Sequence, residues 1–126
     1  MLSKKLHGKK RSNTLRRNAP ISQVDIETEM VRLIDMLEEE TEAFERLAED
    51  HAKKEALYKA NWAKEYISAK GSIKERESWA DYKLADEVYD YKIAEALMRS
   101  KREKLLSLRT SIDAMRTLNA NVRAQV

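Results

Sequence analysis

The sequence predicts an all-α fold: two long amphipathic helices broken at Gly71, arranged as a helical hairpin or a bent rod and completed as a coiled-coil-like homo-oligomer. Three observations carry this reading. Between Pro20 and Val126 the 126-residue chain has a single helix breaker, Gly71. Charged residues make up 37% of the sequence and aromatics only 6%, a balance typical of long-helix and coiled-coil chains rather than compact mixed folds. Apolar residues recur at helical spacing on both sides of Gly71. Helices of about 50 residues are roughly 75 Å long. Their apolar stripes must therefore be buried on each other and on further copies of the chain.

Residues 1–20 form a basic tail with no periodic apolar positions, expected to stay disordered until it meets a partner. Residues 21–126 are expected to form one helical domain. Its first helix, about 22–70, starts with Ser22 as N-cap, Asp25 three residues on, and Ile21 placed to staple onto Ile26. Met30, Ile34, Leu37, Thr41, Phe44, Ala48 and His51 then alternate in steps of four and three, a heptad seam continued by Tyr58 and Trp62.

Lys70-Gly71-Ser72 gives that helix a C-terminal glycine, and Ser72-Ile73-Lys74-Glu75 spells a capping box that starts the second helix at once, about 72–122. Its seam is Leu84, Val88, Tyr91, Ala94, Met98, Leu105, Leu108, Ile112, Met115 and Val122. Within it Leu105, Leu108, Ile112 and Met115 are predicted to be the core of self-association.

The net charge of +3 hides a segregation. Residues 1–19 carry seven cations, Lys10, Arg11, Arg16 and Arg17 among them, and no acid. Residues 20–51 hold eleven carboxylates against Arg32 and Arg46, and residues 52–126 return to an excess of five positive charges. Such a polarised surface suits a polyanion on the basic parts and a basic partner on the acidic part. There is no cysteine, so disulfides and thiolate metal sites are excluded and a reducing cytoplasm is the expected compartment. No apolar run reaches the roughly 18 residues that span a bilayer. The basic stretch Met1 to Ala19 has no hydrophobic segment behind it, so no signal peptide is expected.

Enzyme signatures are missing: no glycine-rich phosphate loop, no Cys-His pair and no metal-ligand spacing such as HExxH. His7 lies in the tail and His51 on a seam, where it reads as a packed or partly solvated residue rather than a ligand. Glu38, Glu39, Glu40, Glu42 and Glu45 point in different directions around a helix and read as a solvated face. Neither catalysis nor a metal or other cofactor is expected.

A sharper pattern lies near the end of the first helix. Lys59, Trp62, Tyr66 and Lys70 fall within a sector roughly 80° wide at 100° per residue. Alternating cations and aromatics suit single-stranded nucleic acid, ammonium groups following phosphates while rings stack on exposed bases. Lys53 and Lys64 form a second basic line across Ala56, Ala60 and Ala63, and Lys70 and Lys74 flank the pivot. The competing reading of Trp62 and Tyr66 is interface core. The cations of the second helix read first as flanking charges of a coiled coil. Those of the tail suit a phosphate backbone, an acidic partner surface or the chain's own acidic segment.

From about Ala48 to Arg123 the chain resembles the phage recombination mediators of the UvsY family. The likeness rests on Ala52-Lys53-Lys54-Glu55-Ala56-Leu57-Tyr58-Lys59-Ala60, on the polar break after Tyr66 centred on Gly71, and on a long terminal helix with a leucine-rich stretch and an arginine near Arg116 to Arg123. The family's nucleic-acid motif is a short Lys-Ala-basic run. Lys59-Ala60 matches it, Asn61 replaces the next basic residue, and Lys64 stands one turn on. The resemblance implies a ring-forming helical homo-oligomer that binds single-stranded DNA, helps displace single-strand-binding protein and loads a RecA-like recombinase. A second reading of the same sequence is a coiled-coil scaffold or adaptor of a phage, gripping a basic protein through its acidic segment from Glu27 to Asp50.

Overall fold

The computed structural model describes residues 22–125. The basic tail, with Lys10, Arg11, Arg16 and Arg17, and the expected staple from Ile21 lie outside the described residues. The described chain is all α: α1, Gln23–Ser68; α2, Ile73–Lys83; and α3, Ala85–Ala124.

The first helix begins where the sequence places it. Ser22 has an extended backbone and its Oγ accepts the Asp25 N–H at 3.1 Å, satisfying one of the orphan donors of the first turn. It runs 46 residues. Its end differs from the expected glycine cap: Ala69, in extended conformation, is the C-cap, and its N–H bonds Glu65 O at 3.0 Å. Gly71, two residues further, has φ +112°, a conformation that L side chains rarely adopt. It reverses the chain so that Ser72 can cap α2. There the capping box is complete, Ser72 Oγ accepting from Glu75 N–H and the Glu75 carboxylate accepting from Ser72 N–H.

The tight connection resolves the hairpin-or-rod alternative as a hairpin. α3 runs antiparallel to α1 and packs along it, which Glu40 with Lys101, His51 with Glu95 and Tyr58 with Tyr91 mark in order. The expected second helix is bent at Leu84, where φ −109° and ψ 22° depart from helical values. Hydrogen bonds persist on both sides, Leu84 N–H to Ala80 O and Val88 N–H to Leu84 O. No glycine or proline marks this bend. Ala80, fully buried, and Leu84, buried at the joint, let α2 lean onto the end of α1, a tertiary cause.

The seam between α1 and α3 changes character along its length. Towards the open end Leu33, Leu108 and Ile112 form the core, with Met36, Leu37 and Met115 against it. Leu33, Leu108 and Ile112 each contribute about 1.5–3 kcal/mol by leaving water. The second-helix seam is buried as expected, with Leu84, Ala94, Leu105, Leu108 and Ile112 inside. Leu105, Leu108, Ile112 and Met115 thus sit in or beside the chain's own seam. On α1 one position of the expected row differs: Leu33 is buried and Ile34 is exposed, while Met30, Leu37, Thr41, Phe44, Ala48, His51, Tyr58 and Trp62 are half-buried. Further along, Glu40 takes ion pairs from Lys101 at 2.6 Å and Lys104 at 3.1 Å. The middle is aromatic, Tyr91 stacking on both His51 and Tyr58. No described helix is long and apolar enough to cross a membrane.

Candidate nucleic-acid interface

The stripe of Lys59, Trp62, Tyr66 and Lys70 divides between inside and outside. Trp62 and Tyr66 are half-buried and stacked on each other, centroids 5.4 Å apart and planes at 14°. The Trp62 indole donates to Asp81 Oδ1 on α2 at 2.9 Å, and the Arg76 guanidinium lies 5.9 Å over the Tyr66 ring. These aromatics hold the closed end of the hairpin. The interface-core reading therefore describes their contacts, while Lys59 and Lys70 remain exposed.

The predicted cations are exposed but not equivalent. Lys53 pairs with Glu49 at 2.9 Å, and that hydrogen bond, reinforced by the charges of Glu49 and Asp50, raises its pKa above the ordinary lysine value. Lys59 stands 3.9 Å from Glu55. Among the described residues Lys64, Lys70 and Lys74 have no carboxylate within ion-pair distance. They are the predicted cations best able to exchange water and counterions for phosphate.

A second aromatic pair, not singled out in the sequence, faces outward on α2. Trp79 is 42% exposed and Tyr82 76% exposed, their centroids 6.2 Å apart and planes tilted by 41°. Trp79 is steadied by donation from its indole to Glu65 at 3.0 Å, and Lys83 Nζ lies 5.1 Å from its ring. Two shallow clefts meet at Trp79: one is lined by Lys74, Glu75, Ser78 and Tyr82, the other by Ser68, Ala69, Lys70 and Glu75. The site thus combines ring surface open to solvent with Lys70, Lys74 and Lys83 around it. Its signal was present in the spacing Lys74, Trp79, Tyr82, Lys83 just past the glycine. Beyond it Tyr89, Ile93 and Leu97 continue as exposed apolar positions along α3.

Comparison with protein-family models, with curated proteins and with solved structures finds no match.

Proposed function

We propose that this chain is a non-enzymatic recombination mediator that binds single-stranded DNA at the closed end of its hairpin. It would promote loading of a RecA-like recombinase in place of single-strand-binding protein, in the cytoplasm of a bacterial host. The observation that carries the reading is the solvent-facing Trp79–Tyr82 pair ringed by Lys70, Lys74 and Lys83. Rings open to solvent can stack on bases, worth about 1–3 kcal/mol per base, and the surrounding ammonium groups neutralise phosphates. Lys59 and Lys64 extend the basic track along α1. The resemblance to the UvsY family supplies the biological context of recombinase loading.

One protomer offers few contacts, so assembly supplies avidity, linked sites binding one strand together. With Leu105, Leu108 and Ile112 buried inside the hairpin, the exposed row Tyr89, Ile93 and Leu97 is the surface through which copies would meet, closing into a ring.

The test is fluorescence anisotropy of a labelled oligonucleotide across a salt series. Affinity is expected to fall steeply as salt rises, with a logarithmic slope of about 0.7 per phosphate neutralised on a single strand. Replacing Lys70 and Lys74 together with alanine should reduce that slope by about 1.4, and replacing Lys59 and Lys64 together should weaken binding with oligomer mass unchanged. A flat salt response overturns the reading. Loss of binding on removal of residues 1–19, with full binding by the lysine variants, moves the contact to the tail.

The scaffold reading has its own observation. Glu38, Glu39, Glu42 and Glu45 are exposed on α1, and among the described residues no cation pairs with them. A basic protein partner would find there an uncompensated acidic face beside the exposed Val31 and Ile34. Capture of such a partner by a chain that shows no DNA affinity would favour it.

A further inference from the structure

We infer that the middle of the hairpin is a divalent transition-metal site, with His51, Glu55 and Glu95 as ligands and zinc the metal type that this donor set favours. His51 and Glu55 are four residues apart on α1 and so share one face. The antiparallel packing of α3 brings Glu95 opposite them. The three ligating atoms lie within 4.8 Å of one another. His51 Nε2 stands 3.9 Å from a Glu55 oxygen and 3.7 Å from a Glu95 oxygen.

These distances are too long for hydrogen bonds, which need about 2.7–3.2 Å. They are close to what a shared ion demands, since ligand atoms about 2.0–2.2 Å from tetrahedral zinc stand about 3.4 Å apart. A second observation points the same way. Among the described residues His51 Nε2 is buried and has no hydrogen-bond partner, although a ring nitrogen taken out of water ordinarily finds one. The ring is oriented by stacking on Tyr91, which also stacks on Tyr58.

Two cations compete for the carboxylates, Lys59 at 3.9 Å from Glu55 and Arg99 at 3.7 Å from Glu95. Both are long contacts from exposed side chains, which retreat into solvent at little cost. An imidazole nitrogen with two carboxylates and an open position for water suits zinc better than calcium or magnesium, which prefer all-oxygen shells. Because the ligands come from both long helices, the ion would clamp α1 to α3 in the middle of the hairpin. This inference stands independently of DNA binding.

The experiment titrates Co²⁺, then Zn²⁺, into the metal-free full chain, reading visible cobalt absorption, calorimetric stoichiometry and melting temperature. The His7→Ala chain is carried alongside, because His7 is the other histidine. One equivalent per chain is expected, with tetrahedral cobalt bands displaced by zinc and a melting temperature that climbs with metal concentration. The His7→Ala chain should behave identically. Glu95→Gln should weaken binding at least tenfold and remove the thermal shift, with Glu55→Gln as the parallel variant should that chain not fold. No saturable binding up to millimolar metal overturns the assignment. So does undiminished binding by the folded glutamine variants, or loss of binding in His7→Ala.

Discussion

Trp62 on α1 donates its indole N–H to Asp81 on α2, and four residues of chain separate those two helices. The bond has a counterpart in the opposite direction, from Trp79 on α2 to Glu65 on α1. Two indole–carboxylate pairs thus cross the same joint with donor and acceptor exchanged. The difference lies in exposure: Trp62 is half-buried against Tyr66, whereas Trp79 keeps much of its ring in solvent. One tryptophan builds the joint and the other can also serve as a surface.

That difference separates stability from binding. Trp62→Phe removes the donor to Asp81 and should cost about 0.5–1.5 kcal/mol, read as a lower urea midpoint. Its oligonucleotide affinity, measured well below the transition, should stay within about twofold, since a structural change alone leaves the outer lysines in place. Tyr82→Ala should show the reverse pattern. Its ring is mostly exposed, so the urea midpoint should hardly move while affinity falls by about 5- to 150-fold, the loss of one stacked base. A binding loss in the Trp62 variant and none in the Tyr82 variant would return the contact to the inner stripe.

Gly71 is tested through its backbone. At φ +112° a side chain is strained, and an added Cβ would stand 2.8 Å from Glu75 Oε2, the carboxylate group that completes the α2 capping box. Gly71→Ala should destabilise by about 1–2 kcal/mol from the backbone alone. Displacing Glu75 should also speed amide exchange in the first turn of α2. Unchanged exchange there would show that the carboxylate moves aside without losing its bond.

Glu40 gives the fold a pH signature. The Lys101 ammonium and then that of Lys104, paired with its oxygens at 2.6 and 3.1 Å, hold its carboxyl below the ordinary glutamate value. A carboxylate depressed in this way contributes stability above its unfolded pKa, about 4.3, and loses it as pH falls through the lower folded value. Thermal melts of wild type and Glu40→Gln should therefore differ most near pH 7. The two curves should converge as pH falls below the usual carboxylate range. A difference independent of pH would mean that Glu40 contributes through shape rather than charge.

The parts of this architecture that depend on neighbours in sequence were legible: the Ser22 cap, the capping box at Ser72 and Glu75, and the long α3 seam. Rules that admit two solutions were not. Steps of three and four pass through Met30 and Leu37 by way of either Ile34 or Leu33, and only the partner helix selects Leu33. Likewise, helical arithmetic places Lys59, Trp62, Tyr66 and Lys70 on one face without saying that α2 folds over the aromatic part of it. The bend at Leu84 has no local signal; it falls where Ala80 and Leu84 are buried and α2 packs on α1. His51 read as a packed seam residue, which it is. That Glu95 stands opposite it follows only from the antiparallel register.

Asn119 closes the argument about register. It is 8% exposed on α3, and its Oδ1 has no hydrogen-bond partner among the described residues. Burying such a group costs about 1–3 kcal/mol relative to an apolar one of similar size, so Asn119→Leu should raise the urea midpoint. A polar residue on a helical seam also penalises wrong alignments, because sliding or reversing the helices pushes it against apolar neighbours. The leucine variant should therefore be more stable and less uniform, with additional species in light scattering or a broader set of amide resonances. Higher stability with a single species would show that Asn119 is not what fixes the pairing, leaving Glu40 with its two lysines and the aromatic middle to set it.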